Sequence, residues 1–193
     1  MTGFDQAKKN TATSTTVNLK MGSPTAGLYY SFRVRSCDAA GTTCGAWATG
    51  PKFNLGPVDD KNIPAAQWKG TWTTETNTAA YGGTTRWTAG SGNVTLANQV
   101  SFTISGNAAW VSSVGPDRGL AQVQIDNGKP QVVDLYSPTV QNDRIVWAVD
   151  ALAPGTHTVV VTVLGKKSTL NTAPCNTGTK CARVDVDMAS FIK

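Results

Sequence analysis

Residues 100–126 read VSFTISGNAAWVSSVGPDRGLAQVQID, and their pattern decides the fold class. Val100, Phe102 and Ile104 alternate with polar residues, Trp110 and Val111 open a second run after a turn, and Ala121, Val123 and Ile125 alternate again. Side chains two apart on a strand share a face, so the stretch predicts three successive strands with one buried side. Between the second and third lies Gly115-Pro116-Asp117-Arg118-Gly119, two glycines and a proline around a charged pair. That is turn chemistry with its polar groups pointing outward. A β-sandwich with a decorated loop follows.

The flanks extend the pattern. WKGTWTTET at 68–76 and the glycine-rich YGGTTRWTAGSG at 81–92 precede it. A hairpin turn, DNGKP, follows at 126–130, then QVVDLYS, RIVWAVDAL, the continuous apolar THTVVVTVLG and a closing RVDVDMASF. About eight strands result, enough for two packed sheets closed as a jelly roll. Threonine, valine, glycine, serine and asparagine dominate, one glutamate stands against eleven aspartates, and helical periodicity is missing. The chain reads as all-β.

The net charge of +5 is spread out. Residues 1–57 hold six Lys and Arg against two Asp, Asp59 and Asp60 offset part of that, and the remainder is mildly basic. Nucleic acid is excluded as a partner, because it requires a concentrated basic stripe with stacking aromatics. No apolar run approaches the roughly 20 residues of a membrane span, and the first residues lack the apolar core of a secretory signal, which suggests a piece of something longer. Cys37 with Cys44 and Cys175 with Cys181 form two local pairs in loop-rich sequence. One histidine and the wrong spacing argue against zinc, so two hairpin-tip disulfides are expected, and with them a secreted or cell-surface location.

Two resemblances sharpen the organisation. Tyr30, Phe32, Arg33 and Val34, followed by Asp38, Gly41, Trp47 and Gly50, resemble the late strands and tyrosine corner of fibronectin type III domains. The resemblance implies that residues 1–55 are the second half of such a sandwich, joined by a linker at 56–66 to a jelly roll at 67–193. Within 67–193, the tryptophan strand, the Gly-Pro-x-Arg-Gly loop, the Ile-Asp-x-Gly hairpin, the Pro-Gly-x-His strand entry and the final strand with alternating aspartates resemble galactose-binding-like jelly rolls. Such domains serve as carbohydrate-binding modules attached to other domains of secreted bacterial proteins. The resemblance implies glycan binding without catalysis, the alternative being a structural spacer or adhesion module that contacts protein.

Sugar binding of this kind stacks an aromatic on the C–H face of a pyranose and satisfies hydroxyls with amides, carboxylates and guanidiniums. The ligand-binding candidates are Trp72, Tyr81, Trp87, Asp117, Arg118 and Trp147, with Trp110 assigned to the core. Asp126 is expected to hold its own turn and His157 to be structural. Paired carboxylates for glycoside hydrolysis are not indicated by any motif. No cofactor is expected beyond a structural calcium, for which Glu75 near the first strand and Asp185 and Asp187 on the last are the oxygen donors, the two aspartates sharing an outward face.

Overall fold

The computed structural model describes residues 29–31, 33–38, 40–50, 52–89, 98–149, 152–175 and 181–192. Among the described residues, strands run in the order β1 (Tyr29–Tyr30), β2 (Arg33–Val34), β3 (Ala48–Thr49), β4 (Phe53–Asp59), β5 (Trp68–Lys69), β6 (Thr73–Thr76), β7 (Thr84–Thr88), β8 (Gln99–Ser105), β9 (Asn107–Val114), β10 (Gly119–Ile125), β11 (Gln131–Asp134), β12 (Gln141–Val149), β13 (Thr156–Lys167), β14 (Val184–Val186) and β15 (Met188–Ile192). Three short 3-10 turns are the only helical elements among the described residues. The all-β sandwich expected from the alternation is what the chain builds.

One sheet has the order β1-β4-β15-β9-β12 and the other β11-β10-β13-β8-β5. A three-stranded sheet, β14-β7-β6, closes one end, and β2-β3 form a separate hairpin. Alternation along 100–126 does what it predicts: Val100, Phe102, Ile104, Ala121 and Val123 are all buried. Across β13, Val161 stands opposite both Val100 and Val123, so a row of valines crosses the sheet. From the facing sheet, Trp110 lies opposite Trp147 on β12 and Ala189 on β15, and no part of it is exposed. The area that these side chains remove from water is the main driving force for association of the sheets.

The segment 56–66, expected as a linker, is part of the sandwich. Residues 53–59 are a strand whose register on β15 pairs Asp59 with Met188 and Val58 with Ala189. The next residues form a 3-10 turn in which Asp59 accepts from the Lys61 amide at 3.0 Å, and Asp60 is fully buried. Prolines and paired aspartates mark a chain break only when nothing receives the carboxylates; here the sandwich does. Of the residues that carry the type III resemblance, Phe32 lies outside the described residues.

Both expected disulfides are present, Cys37–Cys44 and Cys175–Cys181. Asp126 is a correction. It adopts a positive φ of 49° at the hairpin turn, but its carboxylate reaches across to β13, accepting from the Thr158 amide at 2.9 Å and meeting His157 Nδ1 at 2.9 Å. His157 Nε2 lies 2.9 Å from the Ala153 carbonyl. Both partners are acceptors, so only the doubly protonated ring satisfies both. The Asp126 hydrogen bond accordingly raises the imidazole pKa above its ordinary value.

The second glycine of the Gly-Pro-Asp-Arg-Gly loop has a packing reason. Its amide donates to the Arg183 carbonyl at 2.9 Å, and a Cβ there would lie 2.4 Å from the Lys166 carbonyl oxygen and 2.5 Å from the Ala182 Cα. Both obstacles are backbone and cannot swing aside. Gly119→Ala is therefore expected to cost about 3 kcal/mol, read as a lowered denaturant midpoint with an unchanged slope. An unchanged midpoint would show that the crossing is looser than its geometry.

Candidate functional site

The three-stranded end sheet gathers several of the expected residues. Alternation on β7 sends Arg86 and Trp87 to opposite faces, and Trp87 stands opposite Thr73 on β6 and Asp185 on β14. The Arg183 guanidinium carbon lies 4.5 Å from the Trp87 ring centroid. Arg183 donates to Asp185 Oδ1 from Nε at 2.9 Å and Nη2 at 2.5 Å, and it also pairs with Glu75. From the other side Arg118 brings Nε to 2.5 Å from Asp185 Oδ2 and pairs with Asp117. Asp185 is fully buried. Burial works against its ionised form, and the two guanidiniums work for it.

Trp87, Asp117 and Arg118 are thus brought together, with the guanidinium turned inward. Only 7% of Arg118 is exposed. A polar loop between strands reads as solvated because sequence does not show the buried carboxylate across the fold that receives it. Trp72, Tyr81 and Trp147 lie elsewhere. Trp72 packs edge-on against Trp68 at 4.9 Å and donates to the Lys69 carbonyl at 3.0 Å, while Arg86 stacks 4.7 Å from the Trp68 centroid.

The oxygen set expected for calcium does not fit. Glu75 and Asp185 meet on Arg183, and a guanidinium occupies the place a cation would take. The shared outward face of Asp185 and Asp187 is also overturned, since both are fully buried. Among the described residues no group of three or more His, Cys, Asp or Glu side chains is assembled to hold a metal.

Asp187 instead joins a second polar cluster beneath the Tyr81–Gly83 turn. Asp60 accepts from Thr84 Oγ1 at 2.8 Å, its other oxygen lies 3.6 Å from Arg86 Nε, and its amide donates to the Asp187 carbonyl at 2.9 Å. Gly82 has φ +67° and packs so tightly that a Cβ would fall 1.6 Å from Asp59 Oδ2. Nearby, Asn142 Oδ1 accepts from Ser113 Oγ at 2.8 Å and from Asn77 Nδ2 at 3.2 Å. Neither Asp187 oxygen completes a hydrogen bond of good geometry. Burial, with the neighbouring Asp143 and Asp60, pushes its carboxyl up to about 8, and burial with the adjacent Asp59 pushes Asp60 up to about 6. Burial therefore favours the neutral form of Asp187. Strand alternation alone could not reveal this, because it assigns faces without showing that both faces of β14 and the start of β15 are covered.

Two shallow hollows are present among the described residues. One, of about 210 Å³, is lined by Val123, Ile125, Gly128, Lys129, Gln131 and Trp147. Gly128 and Lys129 belong to the 126–130 hairpin, which Asp126 pins to β13, and Trp147, 8% exposed, donates from Nε1 to Gln131 Oε1 at 2.9 Å. Lys129 and Gln131 were not among the expected residues; their place beside the DNGKP turn was the available signal. The other hollow, about 230 Å³, lies between Val58, Pro64, Gln67 and Phe102.

Comparison with known proteins gives a sequence relative. Over 104 residues the chain is 31% identical to the A type blood N-acetyl-alpha-D-galactosamine deacetylase of Flavonifractor plautii. The match covers 53% of this chain and 13% of that enzyme's length. No family model matches the chain. Similar solved structures include a Paenibacillus xanthan lyase (TM-score 0.47, 17% identity, 69% of this chain and 12% of that chain). A family two carbohydrate esterase from Cellvibrio japonicus has a TM-score of 0.45 at 13% identity, over 72% of this chain and 34% of that one. A family 35 carbohydrate binding module from Clostridium thermocellum has a TM-score of 0.41 at 10% identity, over 71% and 97%.

Two outcomes follow from the clusters. Removing Arg118 leaves Asp185 buried with half its compensation, so Arg118→Ala is expected to lower unfolding free energy by about 3 kcal/mol, measured by denaturant titration; a change within error would mean that the ion pair contributes nothing net. The raised carboxyls make folded protein bind more protons than unfolded protein between about pH 4 and pH 8. Their contribution is full below the unfolded carboxylate pKa and is lost as pH rises through about 6 for Asp60 and about 8 for Asp187. The raised pKa of His157 acts in the same sense above its ordinary value. The melting temperature should fall from pH 5 to pH 8, and Asp187→Asn should flatten the upper part of that fall. A profile that rises over this range, or a calcium-dependent gain in melting temperature abolished by Asp187→Asn, would show the carboxylates to be ionised instead.

Proposed function

We propose that this chain is a non-catalytic carbohydrate-binding accessory module of a secreted or cell-surface bacterial protein, carried alongside other domains. The observation that carries the reading is the hollow at Trp147, which Gln131 and Lys129 line together with Val123 and Ile125. One sugar ring would set its C–H face on the apolar floor while Gln131 and Lys129 meet its hydroxyls. The hollow is open and shallow, so affinity for one site is modest. Support comes from the relative, whose name describes action on an N-acetylgalactosamine glycan and of which the chain spans a small part. Two disulfides suit an oxidising compartment. Asp185 is engaged in the end sheet and Asp187 in the cluster with Asp60, and neither lines the hollow, which favours binding over hydrolysis.

One observation favours the spacer reading: the faces of Trp68 and Trp87 are covered by Arg86 and Arg183, so neither indole presents a clear stacking platform. Calorimetric titration separates the two. Oligosaccharides ending in α-linked N-acetylgalactosamine or galactose are the first probes, within a broad glycan panel. Saturable binding is expected, weakened about tenfold by Gln131→Ala or Lys129→Ala, the factor that corresponds to one lost hydrogen bond of about 1.4 kcal/mol. Silence across the panel would sink the glycan reading and leave the spacer.

A further inference from the structure

The disulfide-closed hairpin β2-β3 carries a second binding feature that the Trp147 hollow does not use. Arg33 pairs with Thr49 and Val34 with Ala48, so continuing the register sets Arg35 across from Trp47, with Arg33 on the same face. The Arg33 guanidinium carbon lies 4.3 Å from the Trp47 ring centroid and that of Arg35 lies 4.4 Å from it. Trp47 remains 39% exposed, and both arginines are exposed. The hairpin tip is fixed by Cys37–Cys44 and by backbone bonds from Asp38 to Thr43 at 2.8 Å and from Gly45 to Ser36 at 2.9 Å.

Neither arginine has a carboxylate partner among the described residues. The acid nearest in sequence, Asp38, is taken by its own turn: it accepts from the Thr42 amide at 2.8 Å, the Thr42 hydroxyl at 2.9 Å and the Thr43 amide at 3.1 Å. Two guanidiniums held on one indole are ordered before any ligand arrives, and each keeps a planar fork of N–H donors at its edge. That fork matches a carboxylate or a sulfate ester in bidentate fashion. A repeating polyanion engages both forks at once, whereas a single small anion engages one.

We propose that the Arg33–Trp47–Arg35 face binds an acidic polysaccharide through its uronate carboxylates or sulfate esters. Disulfide chemistry favours this polyanion over nucleic acid, since oxidised hairpins belong outside the reducing cytosol. The feature sits on strands separate from the Trp147 hollow, so it stands or fails independently of the reading above.

Affinity electrophoresis of the full chain through gels containing polygalacturonate, dextran sulfate or neutral dextran tests it, with single-stranded oligothymidylate as a competing polyanion. Retardation is expected in one or both acidic gels and not in neutral dextran, and the two acidic gels separate carboxylate from sulfate recognition. Arg33→Gln with Arg35→Gln should weaken binding at least tenfold. Arg33→Lys with Arg35→Lys keeps the charge and loses the forks, and should weaken it several-fold. Lys166→Gln, which removes one exposed charge away from both features, should leave it unchanged, and thermal melts should confirm that every variant is folded. The proposal is overturned if no acidic gel retards the protein, if the double glutamine variant migrates like the parent, if the double lysine variant binds as tightly as the parent, or if oligothymidylate binds more tightly than both polysaccharides.

Discussion

A carboxylate with no exposed surface, flanked by two guanidiniums, joins parts of the chain that are far apart in sequence. Asp185 on β14 receives Arg118 from the loop before β10 and Arg183 from the residue just ahead of its own strand, and through Arg183 it reaches Glu75 on β6 and the face of Trp87 on β7. The Arg118 and Arg183 backbones also form a bridge, and Gly119 passes the 181–183 segment with no room for a side chain. Such a buried charge set fixes register more than it adds stability, because desolvation opposes much of the Coulomb gain. The tie holds the end sheet to the five-stranded sheet that contains β10.

The second polar cluster shows the complementary solution to burying acids. Asp60 has Arg86 at one edge, and burial favours the neutral form of Asp187. Its members come from β4, the Tyr81–Gly83 turn, the start of β12 and the start of β15, so the cluster marks where the first and last sandwich strands meet. This is also why 56–66 is not a linker: the chain cannot leave the sandwich there without exposing a core carboxylate set and stripping β15 of its neighbour.

The features proposed to meet ligands lie apart from these ties. The hollow at Trp147 depends on a hairpin pinned by Asp126 and His157, so its wall is as rigid as that contact. The Arg33–Trp47–Arg35 face depends on a hairpin with its own disulfide. In both, an aromatic side chain is held in place by protein groups while polar forks or amides remain at the rim. Trp87, read in the sequence as a sugar platform, supports Arg183 instead, because an indole face attracts a guanidinium.

The sequence by itself determined the strands and the class: period-two alternation at 100–104 and 121–125 requires a sheet with one buried face, glycines and prolines place the turns, and the spacing of the four cysteines sets the two disulfides. It also marked Trp110 as core. What it left open were the partners of the charged residues. Asp117 and Arg118 read as a solvated turn, Asp59 and Asp60 as a linker, Asp185 and Asp187 as an outward face, and each reading failed for the same reason. Alternation reports which side of a strand a residue occupies, but whether that side is covered depends on strands brought together from elsewhere in the chain. Only the tertiary structure could decide that the guanidinium of Arg118 points into the protein, that Asp187 is buried, and that Lys129 and Gln131 line one hollow with Trp147.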